Sequence, residues 1–129
     1  MHYLTRTIAS AGVAGLALFL LPGPHPSLAG GNQPFSNVSA DHGADLIRQV
    51  GCGSCHIIPG INMAEGLVGP PLIHFSRRIY IAGLLRNTPE NLVTWLRNPQ
   101  KIVPGNAMPD MGLSEEDAEA IANYLYTIN

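Results

Sequence analysis

Apolar residues recur at steps of three and four along three stretches of this chain, the spacing that places them on one face of a helix. The first stretch covers residues 41–50, with Asp41 as an acidic N-cap. The second starts at Thr88, which caps it, has Pro89 at its first helical position and runs to about residue 97. Both stretches therefore predict short helices.

The third stretch predicts a C-terminal helix. Ser114 and Asp117 have the spacing of a capping box, in which each side chain bonds the backbone of the other. Asn123 is predicted to lie outside the apolar face of this helix. That face comprises Ala118, Ile121, Ala122 and Leu125.

Residues 57–85 contain many glycines and prolines, which indicates loops with one short helix at most. No segment alternates apolar and polar residues as a half-buried strand would. The expected fold class is therefore all-α, with three to five short helices. A small domain with so many loops buries little surface of its own, and a large flat apolar cofactor would complete its core.

The N-terminal residues have the layout of a secretory signal peptide: one cation, then an apolar run over residues 8–21, then a proline break. Ser27 and Ala29, small residues three positions before and immediately before the cut, predict cleavage after Ala29. The domains are then a leader over 1–29, a loose lead-in over 30–40 and a domain over 41–129. Export predicts a periplasmic or otherwise extracytoplasmic location. The alternative is an uncleaved anchor facing the periplasm, although the run is shorter than the roughly twenty residues that a spanning helix needs.

The formal net charge of the chain is -2, and no run of basic residues occurs. Nucleic acids and anionic membrane surfaces are bound through such basic clusters, so neither is an expected partner. Membrane contact is expected only through a partner complex or an uncleaved leader.

Cys52 and Cys55 are the only cysteines, and His56 follows them directly. A redox dithiol would follow a strand in a βαβ unit, which the pattern does not predict. A zinc site needs four ligands, whereas His42 and His74 stand singly. A disulfide between the two thiols leaves the histidine unexplained. Attachment of haem c explains all three residues, since the thiols bind the vinyl groups and the histidine binds the iron.

The sixth ligand of that iron must come from elsewhere, and a methionine thioether is the first candidate because it raises the reduction potential. Met108 lies in the irregular segment 104–109, where no helix face needs filling. Met111 is less defined, and Met63 is too near His56 in sequence to reach the opposite haem face easily. We therefore predict His56 and Met108 as the axial ligands.

Residues 52–56, 69–72 and 98–108 together resemble the class I cytochrome c family in order and spacing. The resemblance covers most of residues 41–129. It implies a small cytochrome c fold, in which the first and last helices cross beside one covalently attached haem. It also implies that the carbonyl of Pro70 accepts the ring N–H of His56. Residues 80–92 further resemble the cytochrome domains associated with bacterial haem-copper oxidases and related respiratory chains.

The resemblance implies three further cofactor contacts. Arg78, with Arg77 as the substitute, corresponds to an arginine near a haem propionate, although a plain surface cation is an equal alternative. Trp95 corresponds to an aromatic near the methionine side of the haem, or is simply a helix-face residue. Asn106 replaces the hydroxyl residue that many members have beside the propionate, and this departure leaves that contact open.

Two protein ligands on the iron would exclude a substrate, so the predicted function is one-electron transfer in a respiratory or related chain, not enzyme catalysis. The partners are then a redox-protein donor and acceptor, for which the resemblance implies a terminal oxidase or a dehydrogenase. The alternatives are a haem c subunit of a larger oxidoreductase complex, and a haem sensor or gas-binding protein with an open sixth position. Candidates for the cofactor walls, or for plain core, are Leu67, Val68, Leu72 and Ile102.

Overall fold

The computed structural model describes residues 33–129 of the chain. The predicted leader lies outside the described residues, as does the start of the predicted lead-in. The regular structure of the described part is mainly helical, which confirms the all-α prediction and its helix number. The α-helices are Ala40–Val50 (α1), Pro89–Arg97 (α2), Pro99–Ile102 (α3) and Glu115–Thr127 (α4).

The segment between α1 and α2 is mostly irregular, as its glycines and prolines predict. It contains two 3-10 helices, Cys52–Ser54 and Phe75–Arg77. It also contains an antiparallel hairpin of two short strands, Tyr80–Ile81 (β1) and Leu85–Arg86 (β2). The sequence pattern gave no sign of this hairpin, because strands of two residues are too short to show alternation.

The caps of α2 and α4 are those that the sequence predicts. The Thr88 hydroxyl accepts the backbone N–H of Asn91 at 3.3 Å. At α4, Ser114 Oγ accepts the backbone N–H of Asp117 at 3.1 Å, and the Asp117 carboxylate accepts the N–H of Ser114 at 3.4 Å. These bonds satisfy N–H groups that have no partner within the helix, so both helices start at defined residues.

The prediction for the cap of α1 is wrong. Ser39, not Asp41, is the N-cap, and its Oγ accepts the backbone N–H groups of Asp41 and His42 at 3.0 and 3.3 Å. Asp41 instead lies in the first turn, where its charge complements the positive end of the helix dipole. Serine and aspartate are both good caps, so the pattern alone could not choose between them.

Helices α1 and α4 cross in direct contact, as the family resemblance implies. A Cβ atom added to Gly43 would lie only 1.9 Å from the backbone oxygen of Ala120. Ala118 and Ala120 are fully buried beside this crossing. Small residues on both helices thus let their backbones approach closely. This close contact fixes the position of the cysteine motif, which directly follows α1.

Asn123 lies inside the core with an exposed fraction of 0%, so its predicted position outside the apolar face is wrong. Its Oδ1 accepts the N–H of Phe35 at 3.0 Å, and its Nδ2 donates to the carbonyls of Phe35 and Val38 at 2.7 and 2.8 Å. A buried amide is tolerated when its polar atoms are paired in this way. Asn123 thereby ties the segment before α1 to α4.

The most deeply buried large aliphatic side chains lie where α1, α2 and α4 meet the loop that follows the cysteines. They are Ile47, Ile58, Leu92 and Ile121. These residues form the floor of the cavity described below. No helix within residues 33–129 is long and apolar enough to cross a membrane.

Candidate cofactor site

A cavity of about 430 Å³ opens between the cysteine motif, the hairpin, α2 and the loop before α4. This volume lies within the ~300–1,000 Å³ of typical small-molecule and cofactor sites. Its walls are mainly apolar and include Ile47, Leu72, Phe75, Leu92, Leu96 and Leu125. The fold therefore leaves room for a sizeable apolar group next to the cysteines.

Both cysteines border this cavity as free thiols. The N–H groups of Cys55 and His56 both bond the carbonyl of Cys52, at 3.2 and 3.0 Å. This tight turn directly follows α1 and places both thiols and the imidazole on one rim. Burial raises the pKa of the Cys52 thiol, and the neighbouring Cys55 raises it further, so Cys52 is held as the neutral thiol.

His56 lines the cavity with its ring in a fixed orientation. Its Nδ1 lies 2.8 Å from the backbone oxygen of Pro70. A carbonyl can only accept, so Nδ1 donates and the neutral ring keeps its lone pair on Nε2. That tautomer presents Nε2 as a ligand, with its basicity increased by the bond at the other nitrogen.

The His56 ring occupies space beside Gly69 that is available because glycine has no side chain. A Cβ atom at position 69 would lie 2.3 Å from Cε1 and 2.6 Å from Nδ1 of His56. The backbone N–H of Gly69 also bonds the carbonyl of Cys55 at 2.8 Å. The loop thus lies against the cysteine motif at a distance that only glycine allows.

Met108 lines the same cavity from the loop between α3 and α4, half-buried against the core. Met111 also lines the cavity. Met63 has an exposed fraction of 92% and is not among the lining residues. Two of the three candidate thioethers therefore reach the cavity together with His56.

The structure brings all eight predicted site residues to this one cavity. Besides the cysteines, His56 and Met108, the lining includes Pro70, Arg78, Trp95 and Asn106. Among the predicted wall residues, Val68 and Leu72 line the cavity. Leu67, which has an exposed fraction of 83%, and the half-buried Ile102 lie outside the lining.

The guanidinium of Arg78 is held at the rim of the cavity. Its Nη2 donates to the carbonyl of Pro71 and, at 3.4 Å, to that of Ile73. The group also lies over the ring of Phe75, 5.6 Å from its centroid. Arg77, the substitute considered from the sequence, is exposed and outside the lining.

Gln100, a residue of α3 that the sequence pattern did not indicate, organises the Met108 loop. Its Nε2 donates to the carbonyls of Asn106 and Met108 at 2.9 and 2.7 Å. A polar residue inside a four-residue helix carries no periodic signal. Only its place just before the methionine loop hints at such a role.

The donors around the cavity fit a haem. They comprise an imidazole with a free Nε2, two thioethers, two thiols and a rim cation, set in apolar walls. Such walls suit a flat macrocycle, and the cation suits its carboxylates. Within residues 33–129, no group of three or more His, Cys, Asp or Glu side chains is placed to bind a metal ion directly.

Comparison with known proteins places the same residues in a family. Residues 38–125 match the family model described as cytochrome C oxidase, cbb3-type, subunit III. The chain is 39% identical over 90 residues to cytochrome c oxidase subunit 2 of Alkalihalophilus pseudofirmus, covering 69% of this chain and 25% of that protein. The subunit 2 of Bacillus subtilis is 35% identical over 89 residues, covering 67% of this chain and 25% of that protein. The chain spans about a quarter of the length of these curated relatives.

Proposed function

The chain belongs to the cytochrome c family, and from that premise we propose that it is a one-electron carrier with one covalently bound haem c, ligated by His56 and Met108. Membership of the family and similarity to oxidase subunits support a haem-based role in electron transfer. The observation that supports the finer proposal is that a ring-oriented imidazole and a half-buried thioether line one apolar cavity beside two free thiols.

The bound haem would supply an iron that changes oxidation state by one electron. Cys52 and Cys55 would hold it by adding their S–H groups across its two vinyl bonds, which releases no atoms. His56 would bind the iron through Nε2, with Pro70 fixing the tautomer. Met108 would take the sixth position and raise the potential.

The residues around the cavity would complete the carrier. The apolar walls exclude water, which limits rearrangement when the charge of the iron changes. Arg78 at the rim offers a cation to the haem carboxylates. Side-chain ligands on both iron positions would leave none for a substrate, so the protein would act as a carrier and not as an enzyme.

A second candidate function is that of a subunit in a larger oxidoreductase complex, and the names of the relatives favour it. Those relatives are oxidase subunits of which this chain corresponds to about a quarter. The donor and acceptor would be redox proteins, with a terminal oxidase as the first partner to test. Either role places the protein outside the cytoplasm if the leader directs export. A free carrier is recovered alone, whereas a subunit copurifies with oxidase activity.

Visible spectra of the full-length protein, made with haem c maturation, test the proposal against a gas sensor. We expect the ferrous spectrum to stay unchanged when carbon monoxide is added at neutral pH, because Met108 occupies the sixth position. A shift of the main haem band on addition of the gas contradicts the carrier and supports a sensor with an open iron position.

Haem staining after denaturing electrophoresis tests the covalent attachment. We expect the wild-type band to stain and the Cys52→Ala/Cys55→Ala double variant to lose the stain. Ser54→Ala is the matched control, because Ser54 lies between the two thiols and its hydroxyl bonds only the carbonyl of Gly51 at 2.7 Å and, weakly, the Cys55 sulfur. An unstained wild-type band contradicts the attachment.

A further inference from the structure

Met108 stands in a loop whose backbone is held by side chains. Its N–H donates to Oδ1 of Asn106 at 2.7 Å, and its carbonyl accepts from Nε2 of Gln100, also at 2.7 Å. Neither group takes part in the backbone hydrogen bonding of a helix or a strand. Both backbone polar groups of the proposed iron ligand therefore depend on two amide side chains.

Asn106 fixes the loop from within. Its Nδ2 donates to the carbonyls of Pro99 and Val103 at 3.0 and 2.7 Å, while its Oδ1 accepts from Met108. Both hydrogens of the amide are thus used on backbone oxygens of this chain. The side chain connects the start and end of α3 to the methionine.

Gln100 fixes the loop from α3. Besides the carbonyl of Met108, its Nε2 reaches the carbonyl of Asn106 at 2.9 Å, and its Oε1 accepts the N–H of Gly105 at 3.0 Å. The two amides together span residues 99–108 with six hydrogen bonds. We call this arrangement of Gln100 and Asn106 the amide clamp.

We propose that the amide clamp positions the Met108 thioether and keeps the sixth iron position closed, an inference that rests on Met108 being the ligand in the proposed function. The loop around Met108 has no regular backbone hydrogen bonding of the kind found in helices and sheets. Without the amide clamp, the population of its open conformations therefore increases. An opening loop withdraws the thioether and frees the iron for an external ligand. Gln100 and Asn106 are then positioning residues, and Asn106 has a task other than the propionate contact that the resemblance implies.

Imidazole binding to the ferric protein measures this opening, because imidazole must displace Met108. The principal variant is Gln100→Glu, which keeps an acceptor for Gly105 but replaces two donors with a charge that repels two carbonyls. We expect imidazole to bind about tenfold or more tightly, the factor that corresponds to losing one or two hydrogen bonds. Gln49→Glu adds the same charge on the exposed side of α1, away from the cavity, and should bind imidazole as the wild type does.

A second variant, Asn106→Ala, removes the other half of the clamp and should also bind imidazole more tightly. Helix content by circular dichroism shows whether each variant folds. Unchanged imidazole affinity in either folded variant overturns the inference. Collapse of both variants also overturns it, since the amides would then support the whole domain rather than the methionine.

The long-wavelength absorption band of a thioether bound to ferric iron separates the two proposals. If the wild type has no such band, or Met108→Ala retains it, the proposed ligation by Met108 fails whatever the clamp variants do. If the band depends on Met108 but the clamp variants match the wild type in imidazole affinity, only the clamp fails.

Discussion

The Nδ1 atom of His56 lies 2.8 Å from the backbone oxygen of Pro70, fourteen residues along the chain. The contact fixes the ring tautomer that leaves Nε2 free to bind a metal. It is made by a main-chain atom, so its strength depends on where the loop lies and not on the proline side chain. Gly69 determines that position by leaving room for the imidazole.

Substitution of Gly69 is therefore expected to disturb the site more than substitution of Pro70. In Gly69→Ala the new methyl group would lie 2.3 Å from the His56 ring, so the ring or the loop must move and the bond to Pro70 lengthens. We expect a loss of stability of about 1–3 kcal/mol and altered ferric absorption. Pro70→Ala keeps the accepting carbonyl and should retain the wild-type spectrum. Equal spectra for both variants contradict this role of Gly69.

Arg78 and Arg77 form a matched pair for testing charge at the cavity. Both variants, Arg78→Gln and Arg77→Gln, remove one positive charge, but only Arg78 lines the cavity. A cation near the iron disfavours its more positive, oxidised state, so its removal lowers the reduction potential. We expect a decrease on the order of tens of millivolts for Arg78→Gln and a much smaller one for Arg77→Gln. Spectroscopic redox titration measures both, and equal shifts contradict a specific role for Arg78.

Tyr126 predicts how stability depends on alkaline pH. Burial raises the pKa of Tyr126 to about 12, with the charge of Glu90 as a second cause. The folded state therefore favours the neutral phenol. The contribution of this preference to the free energy of unfolding is complete below the unfolded-state pKa of about 10 and is lost as the pH rises towards 12. The hydroxyl also donates to Oδ1 of Asn87 at 2.9 Å.

Tyr126→Phe should consequently be less stable than the wild type at pH 7, by about 1 kcal/mol for the lost hydrogen bond. The difference in unfolding free energy between the two proteins should narrow as the pH rises above about 10. Only the wild type loses stability there, because its phenol ionises in the unfolded state while the folded state keeps it protonated. Denaturant unfolding at a series of pH values measures both curves. A gap that stays constant through pH 11 contradicts the shifted pKa of Tyr126.

Replacement of Asn123 in α4 should cost more unfolding free energy than replacement of Asn37 in the segment before α1. Asn123→Ala leaves the partly buried polar groups of Phe35 and the buried carbonyl of Val38 without their partner, which should cost about 2–3 kcal/mol of unfolding free energy. Asn37→Ala is the control, since it loses only an exposed bond of 3.3 Å to Glu119 and should cost about 0.5 kcal/mol or less. Similar losses for the two variants contradict the bracing role of Asn123.

The sequence predicts those parts of the fold that short-range chemistry determines. Thr88 caps α2 and Ser114 pairs with Asp117 because the partners lie within three residues. The cysteine motif is equally local, since two thiols and a histidine are adjacent to one another along the chain. These features needed no knowledge of the tertiary structure.

The features that the sequence could not show depend on distant partners. Asn123 is buried because its amide bonds Phe35, which lies 88 residues away, and a helical pattern treats any asparagine as exposed. The role of Gln100 follows only from its hydrogen bond to the carbonyl of Met108, eight residues further along the chain. The exposure of Leu67 likewise depends on the path of a glycine-rich loop.

The ferric absorption spectrum at long wavelength tests the central claim most directly. We predict that the wild type shows the weak band of a thioether bound to iron, and that Met108→Ala removes it. Met111→Ala and Met63→Ala should keep the band, although Met111 also lines the cavity. Absence of the band from the wild type, or its persistence in Met108→Ala, would contradict the assignment of Met108 as the sixth ligand and with it the closed-iron electron carrier.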